Sequence, residues 1–226
     1  MEIEEKKKAA AEKAVSLIQN KMIVGLGTGS TVNYFIDSLA KKCKQGLSIE
    51  AVASSQASSQ RAKNLKIPMI DNNQVTRIDI TIDGADEIDP KKRMIKGRGG
   101  ALLREKILAS SSTEVVIIVD DSKLVPTLGK GVVPVEIAYF APFATQKKLL
   151  DLGYKGNFRL DPTGNFFKTD NGNFIFDISF ENLCPFPEEE DAELKKIPGI
   201  LETGFFFHLA HKVIVAYSSS RVEILY

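Results

Sequence analysis

The sequence predicts an α/β fold with an open, mainly parallel, Rossmann-like sheet and a smaller α+β lobe inserted before the last strand. Short apolar runs alternate with helical patterns through the first half of the 226 residues. This alternation is typical of right-handed βαβ crossovers and therefore of parallel strands. After residue 131 the sequence becomes aromatic and rich in turn residues, and residues 213–217 then resemble the buried strands of the first half.

Each strand of the first half is predicted from an apolar run that ends in small polar residues. The runs lie at residues 22–26, 49–53, 77–82 and 115–119. Isoleucine at every second position of 77–82 has the period of a strand. The nearly continuous apolar run at 115–119 indicates a strand buried on both faces. A helical pattern at residues 31–43 follows the first strand.

The smaller lobe is predicted from strands at residues 132–138, 157–160 and 174–178 and a helix at 145–152. Asn171 and Gly172 are typical of a tight hairpin turn. The predicted domains are therefore residues 1–131 with 208–226, and residues 132–207. The aromatic residues of the lobe form its own core or, alternatively, an interface, and we expect the core role for Phe140, Phe143, Phe166, Phe167 and Phe174.

Composition narrows the range of functions. The 30 basic and 29 acidic side chains give a net charge of +1, which argues against a general nucleic-acid binder. No stretch approaches the ~20 apolar residues of a membrane span, and the charged N-terminal segment does not resemble a signal peptide. Two cysteines, Cys43 and Cys184, fit neither a disulfide framework nor a zinc pattern. We therefore expect reduced thiols and a cytoplasmic protein without membrane partners.

Polar segments after the predicted strands are expected to meet, because ligands of open α/β sheets bind outside the carboxyl ends of the strands. The first such segment is GLGTGST at residues 25–31. Its glycines allow close approach of an anion, and the following helix supplies free N–H groups. No lysine follows, so the segment is not a P-loop. The alternative is a glycine-rich turn with a Ser or Thr helix cap.

The second segment, Asp83-Gly84-Ala85-Asp86, offers two carboxylates in a tight turn. Carboxylates at such a strand end bind a metal, accept hydrogen bonds from sugar hydroxyls or move protons. The alternative is one Asp that caps a turn and one that lies in solvent. Glu87 and Asp89 are expected to be surface charges.

The third segment is a basic, glycine-rich loop, KGRGGA at residues 96–101, which precedes an apolar helix. Glu105 lies early in that helix, where a carboxylate is usually a solvated charge. The loop before it favours a binding role. Lys123 follows the strand at 115–119 on the same predicted sheet edge, although a single lysine is usually a surface residue.

The two histidines, His208 and His211, have a spacing that places both on one face of a helix. Without a nearby carboxylate they are a weak metal signal, so we expect structural roles and no metal site. A nucleophilic triad based on either histidine is disfavoured.

Taken together, the segments resemble the A-type ribose-5-phosphate isomerases. The matching stretches are GLGTGST (25–31), TIDGADEID (81–89), KGRGGALLREK (96–106), DDSKLV (120–125), VPVEI (133–137), TDNGN (169–173) and PGILETGFF (198–206). Each stretch is a weak signal, but their order and completeness make the match specific over nearly the whole chain. One departure is Arg98, which stands where many relatives have Gly.

The resemblance implies interconversion of D-ribose 5-phosphate and D-ribulose 5-phosphate in the pentose phosphate pathway, without a metal or organic cofactor. It also implies a homodimer or a homotetramer. Glu105 matches the catalytic base, and Asp83 and Lys96 match further catalytic residues. The implied substrate-binding residues are Thr28, Gly29, Ser30, Thr31, Asp83, Gly84, Ala85, Asp86, Lys96, Gly97, Arg98, Gly99 and Lys123.

Three other functions are compatible with parts of the sequence. Another sugar-phosphate isomerase or a deaminase on a similar fold would be separated by assays with hexose and amino-sugar phosphates. A sugar-phosphate-sensing module needs the phosphate loop but no base, and is normally joined to a DNA-binding segment. A nucleotide-binding protein is disfavoured because no lysine follows the glycine loop.

Overall fold

The chain folds into two compact units in a computed structural model that describes all residues, Met1–Tyr226. The first unit comprises Met1–Ala85, Arg104–Lys123 and Leu209–Tyr226, and the second comprises Asp86–Leu103 and Leu124–His208. This division differs from the predicted domains at residues 86–103, 124–131 and 208, which belong to the second unit. The physical reason is pairing within that unit, since the backbone of residues 94–95 pairs with that of residues 205–206.

Six α-helices, a short 3-10 helix at Asp121–Lys123 and thirteen strands make up the two units. The helices are α1 (Ile3–Val15), α2 (Ser30–Lys44), α3 (Gln56–Asn64), α4 (Leu102–Ser110), α5 (Pro142–Asp151) and α6 (Pro187–Lys195). The strands are β1 (Ile23–Leu26), β2 (Glu50–Ala53), β3 (Ile78–Asp83), β4 (Glu87–Ile88), β5 (Met94–Ile95), β6 (Ser112–Asp120), β7 (Val132–Ile137), β8 (Lys155–Phe158), β9 (Phe174–Ser179), β10 (Ile200–Thr203), β11 (Phe205–Phe206), β12 (Lys212–Ala216) and β13 (Val222–Leu225).

The first unit contains a six-stranded sheet in the order β13-β12-β6-β3-β1-β2. All neighbours in it are parallel except β12 and β13, so the predicted mainly parallel sheet is confirmed. Two strands, rather than the predicted one, follow the second unit. β6 lies between β3 and β12, which explains why its residues Val115–Val119 are uniformly apolar and almost fully buried.

Helix α2 is fixed by its apolar stripe. Val32, Phe35, Ile36 and Leu39, spaced at three and four residues, are all 0% exposed. They belong to the core of the first unit together with small residues of α1 such as Ala10. Burial of each larger side chain contributes about 1.5–3 kcal/mol. This packing fixes the position of the N-terminus of α2, which directly follows the glycine-rich loop.

The second unit contains two antiparallel sheets, one of four strands in the order β10-β7-β9-β8 and one of three strands in the order β11-β5-β4. The strands predicted at 132–138, 157–160 and 174–178 correspond to β7, β8 and β9, and the predicted helix corresponds to α5. The hairpin turn at Asn171-Gly172 is confirmed. Gly172 has φ +81°, and its N–H donates to the carbonyl of Thr169 at 2.9 Å.

The aromatic residues of the second unit divide into two groups. Phe174 is 8% exposed and packs in the core, as expected. The core role is wrong for Phe140 and Phe143, which are 87% and 59% exposed. Phe166 is also exposed, although its ring lies 5.8 Å from that of Phe174. The second unit therefore presents aromatic rings at its surface.

Two acidic residues expected at the surface are buried. Glu87 is 7% exposed because its carboxylate accepts hydrogen bonds from the backbone N–H groups of Gly129 at 2.8 Å and Gly131 at 2.5 Å. Asp89 is 5% exposed and accepts a hydrogen bond from Arg93 Nε at 2.6 Å. Paired in this way, both carboxylates stabilise the second unit from inside.

The two histidines do not share a helix. His208 lies in a loop with φ +56°, and His211 lies just before β12. The Nδ1 atom of His211 accepts a hydrogen bond from the backbone N–H of Val115 at 3.0 Å, so this imidazole has a structural role. None of the helices has the length and apolar character needed to cross a membrane.

Candidate active site

The carboxyl ends of β1, β2 and β3 meet in the first unit, as predicted for adjacent parallel strands. The hydroxyl oxygens of Thr28 and Ser54 lie 2.8 Å apart. The backbone N–H of Thr28 donates to Asp83 Oδ1 at 3.1 Å. Ser54, which is 0% exposed, was not among the predicted site residues, although its position at the end of a predicted strand is the signal that indicates it.

Asp83 is held closely against the glycine-rich loop. Its side chain packs so near Gly27 that a Cβ atom at that position would lie 2.1 Å from Asp83 Oδ1. The same oxygen accepts the N–H of Gly84 at 2.8 Å, and the residue is 2% exposed. Asp83 is therefore a fixed, buried carboxylate rather than a solvated turn residue.

Helix α2 begins with backbone donors that no side chain caps. Gly29, at the N-cap, has φ +122° and makes no side-chain cap hydrogen bond. The alternative of a Ser or Thr cap is therefore excluded. Ser30 and Thr31 form the first turn, where N–H groups have no partner within the helix. This end of α2 has the donors and the dipole that suit an anion.

Lys123 ends the 3-10 helix that follows β6. Asp120 Oδ1 accepts the N–H of Ser122 at 3.0 Å, and Lys6 Nζ donates to Asp121 Oδ1 at 2.7 Å. The hydrogen bond from Lys6 lowers the pKa of the Asp121 carboxyl. The turn that carries Lys123 is thus attached to α1.

Glu105 lies in the first turn of α4 and is only 3% exposed. On the same helix Ile107 is 53% exposed. The helix therefore buries its carboxylate and exposes an apolar side chain, the reverse of an ordinary surface helix. A carboxylate this deeply buried is rare unless it has a specific role.

In the second unit, Asp86 and Lys96 flank the glycine loop. Asp86 Oδ2 accepts the backbone N–H of Arg98 at 3.0 Å. Lys96 is 3% exposed, and its ammonium lies 5.3 Å from the centroid of the Phe206 ring. The side chain of Arg98 is 67% exposed, so this residue contributes to the loop mainly through its backbone.

The loop closes in a turn in which the N–H of Gly100 donates to the carbonyl of Gly97 at 2.9 Å. Gly100 has φ +76°, and a Cβ atom there would lie 2.3 Å from the ring of Phe167. Arg159, which is not among the predicted site residues, donates to two carbonyls of the same loop. Arg159 lies inside the strand predicted at 157–160, between Phe158 and Leu160, and a charge in that position was the available signal.

The predicted site residues are thus distributed over both units. The first unit holds Thr28, Gly29, Ser30, Thr31, Asp83, Gly84, Ala85, Glu105 and Lys123. The second unit holds Asp86, Lys96, Gly97, Arg98 and Gly99. No group of three or more His, Cys, Asp or Glu side chains is arranged to hold a metal ion.

Comparison with known proteins gives consistent matches. The family model for ribose 5-phosphate isomerase A (phosphoriboisomerase A) matches residues 50–220. A ribose-5-phosphate isomerase A of Protochlamydia amoebophila is 50% identical over 97% of this chain and 94% of the relative. A solved D-ribose-5-phosphate isomerase in complex with phospho-erythronic acid is 39% identical, with a TM-score of 0.93 over 100% of this chain and 99% of that chain. The ribose 5-phosphate isomerase of Plasmodium falciparum is 35% identical, with a TM-score of 0.93 over 98% of each chain.

Proposed function

Because the chain belongs to the ribose-5-phosphate isomerase A family and interconverts D-ribose 5-phosphate and D-ribulose 5-phosphate, we propose that Glu105 is the general base of this reaction. The reaction is an aldose–ketose isomerisation of the pentose phosphate pathway. One carboxylate suffices, because it takes the proton from C2 and returns it to C1 of the enediolate. The observation that carries the proposal is the burial of Glu105 in the first turn of α4.

The enediolate needs stabilisation of negative charge, first on O1 and then on O2. We assign this role to the Lys96 ammonium and to backbone N–H groups of residues 97–100. Lys96 is buried beside an aromatic ring, an environment in which a charge acts more strongly than in water. Loss of one such donor typically lowers kcat by about 10²–10³.

The remaining residues bind and open the sugar. We assign Asp83 to acid–base help in ring opening, and Asp86 to orientation of the hydroxyls. The first turn of α2, with Ser30 and Thr31, and the Lys123 ammonium are assigned to the phosphate. Phosphate binding then supplies remote binding energy that holds C1 and C2 in place.

Isomerisation of ribose 5-phosphate in D2O with EDTA tests the cofactor-free base mechanism. The expected result is full activity and deuterium at C1 of ribulose 5-phosphate, because a proton on a carboxylate exchanges with solvent. The measurement is proton NMR of the product. Activity that EDTA abolishes and a divalent metal restores would contradict the proposal, as would a product without any deuterium, which indicates direct hydride transfer.

Substitution of Lys123 tests the phosphate assignment. We expect Lys123→Ala to raise KM for ribose 5-phosphate by about 10–100-fold with little change in kcat, because a charge-assisted hydrogen bond contributes about 1.5–3 kcal/mol. Steady-state kinetics at constant ionic strength measure both constants. Lys44→Ala, which removes an exposed charge from the end of α2, is the control. An unchanged KM in the Lys123 variant would remove this residue from the phosphate site.

We further propose that the chain forms a homodimer, or a dimer of dimers, through three exposed rings of the second unit, those of Tyr139, Phe140 and Phe143. Tyr139, Phe140 and Phe143 are 61%, 87% and 59% exposed. Single exposed apolar side chains are normal, but several in one short segment are typical of a protein–protein interface. Sedimentation equilibrium should give at least twice the chain mass for the parent and a lower mass for Phe140→Ser/Phe143→Ser. Phe186→Ser, at an exposed ring outside this set, should keep the parent mass. A monomeric parent would refute the proposal.

A cytoplasmic location is proposed from the two cysteines, Cys43 and Cys184, which form no disulfide. Burial raises the pKa of both thiols, that of Cys184 to about 11, so both stay protonated at neutral pH. Such thiols suit a reducing compartment. Recovery of the protein from an organelle fraction or from the extracellular medium, rather than from the cytoplasmic fraction, would contradict this location.

A further inference from the structure

We propose that Arg159 is a positioning residue for the reaction, because it orients two peptide groups of the Gly97–Gly100 loop so that the Gly99 N–H is presented to the substrate. The inference deepens the proposed role of this loop in stabilising the enediolate. All of the contacts that carry it lie within the second unit.

Arg159 is itself held rigidly. It follows β8, and its Nε and Nη2 atoms donate to the two carboxylate oxygens of Asp177 on β9 at 2.9 and 2.5 Å. The two side chains are only 15% and 21% exposed. The guanidinium also lies 5.8 Å from the ring centroid of Phe167, the ring that packs against Gly100. A bidentate pair of this kind fixes the plane of the guanidinium.

The remaining nitrogen of Arg159 is directed at the loop. Nη1 donates to the carbonyl of Gly97 at 3.0 Å and to the carbonyl of Arg98 at 2.8 Å. In a trans peptide the C=O and the following N–H point in opposite directions. The N–H groups of Arg98 and Gly99 are therefore turned away from Arg159.

The two oriented N–H groups have different uses. That of Arg98 donates to Asp86 Oδ2 at 3.0 Å. That of Gly99 makes no hydrogen bond within the chain, and Gly99 is exposed. A preoriented N–H group of this kind can stabilise a developing oxyanion, because the donor does not have to reorient when the negative charge forms.

The test is the variant Arg159→Met, which keeps the apolar stem and removes the guanidinium. We expect kcat to fall by about 10–100-fold, somewhat less than for complete loss of an oxyanion donor. KM for ribose 5-phosphate should change by less than about 3-fold. The inhibition constant of phospho-erythronic acid, whose carboxylate resembles the enediolate oxygens, should rise in proportion to the loss in kcat.

The ratio of inhibition constant to KM separates orientation from instability. A variant that is only less stable lowers the active fraction and kcat, but the folded molecules keep their ligand affinities. Asp177→Asn, which loosens Arg159 without removing it, should change the ratio in the same direction by a smaller factor. Arg61→Met removes a similar bidentate pair with Asp37, at 2.9 and 2.6 Å, and should leave the ratio unchanged.

A parent-like ratio in Arg159→Met would overturn the inference, whatever the outcome for the base. If Glu105→Gln is inactive and the ratio is parent-like, the proposed base stands and the positioning role is wrong. If Glu105→Gln is active, the base is wrong, but a raised ratio still supports Arg159, because ligand affinity does not depend on which group moves the proton.

Discussion

Glu105→Gln is expected to lower kcat by about 10²–10⁴ while the affinity for ribose 5-phosphate changes only a few-fold. Glutamine has nearly the same shape as glutamate, so the packing of α4 is kept, but an amide does not accept a proton from carbon. The size of the loss is that of general-base catalysis. Steady-state kinetics give kcat, and equilibrium dialysis with ribose 5-phosphate gives the affinity of the impaired variant.

Two comparisons sharpen this experiment. Glu50→Gln, an exposed position at the start of β2 in the same unit, is the matched control and should behave like the parent. Glu105→Gln should also stop the exchange of the C2 proton with solvent, because exchange requires the same base. Turnover at the parent rate would disprove the assignment of Glu105.

Glu136→Ala is expected to lower the free energy of unfolding by about 2–4 kcal/mol. Glu136, on β7, is 0% exposed, and its Oε1 atom accepts hydrogen bonds from Thr169 Oγ1 at 3.0 Å, Asn171 Nδ2 at 3.0 Å and Asn173 Nδ2 at 2.9 Å. Removal of the carboxylate leaves these donors without their shared acceptor and opens a cavity. Urea titration followed by circular dichroism measures the change.

Glu136→Gln tests the stated cause. The Oε2 atom of Glu136 makes no hydrogen bond, so glutamine can place its nitrogen there and keep an oxygen for the three donors. We expect a loss of about 1–2 kcal/mol for this variant, smaller than for Glu136→Ala, because the acceptor oxygen is kept while the buried amide N–H groups gain no acceptor. Glu181→Ala removes an exposed carboxylate from the same unit and should cost less than about 1 kcal/mol. If all three variants were equally stable, the network would have no structural role.

The sequence was sufficient to predict the features that depend on local periodicity. The parallel strands, the loop at residues 25–31 and the meeting of Thr28 with Asp83 follow from apolar runs and from the geometry of parallel sheets. The stretch TDNGN (169–173) was matched only by resemblance. Three of its residues donate hydrogen bonds to Glu136, and these contacts are visible only in the structure, where the hairpin lies beside β7.

Features that depend on distant backbone were not predictable. Glu87 was expected in solvent because its partners, the N–H groups of residues 129–131, are more than forty positions away and carry no side-chain signature. The strands β4, β5 and β11 have two residues each, too few to show a period. Arg159 acts on carbonyl groups, which every residue has, so no motif marks its target.

The strand order of the six-stranded sheet also affects how the chain folds while it is being synthesised. β6 pairs with β12, which the ribosome completes about a hundred residues later than β6. The second unit, by contrast, is fully synthesised once His208 has been added. Until β12 has emerged, β6 has one open edge, and an open strand edge is a template for pairing with other chains. The nascent enzyme is therefore exposed to aggregation through the apolar run Val115–Val119 of β6 until β12 has been synthesised.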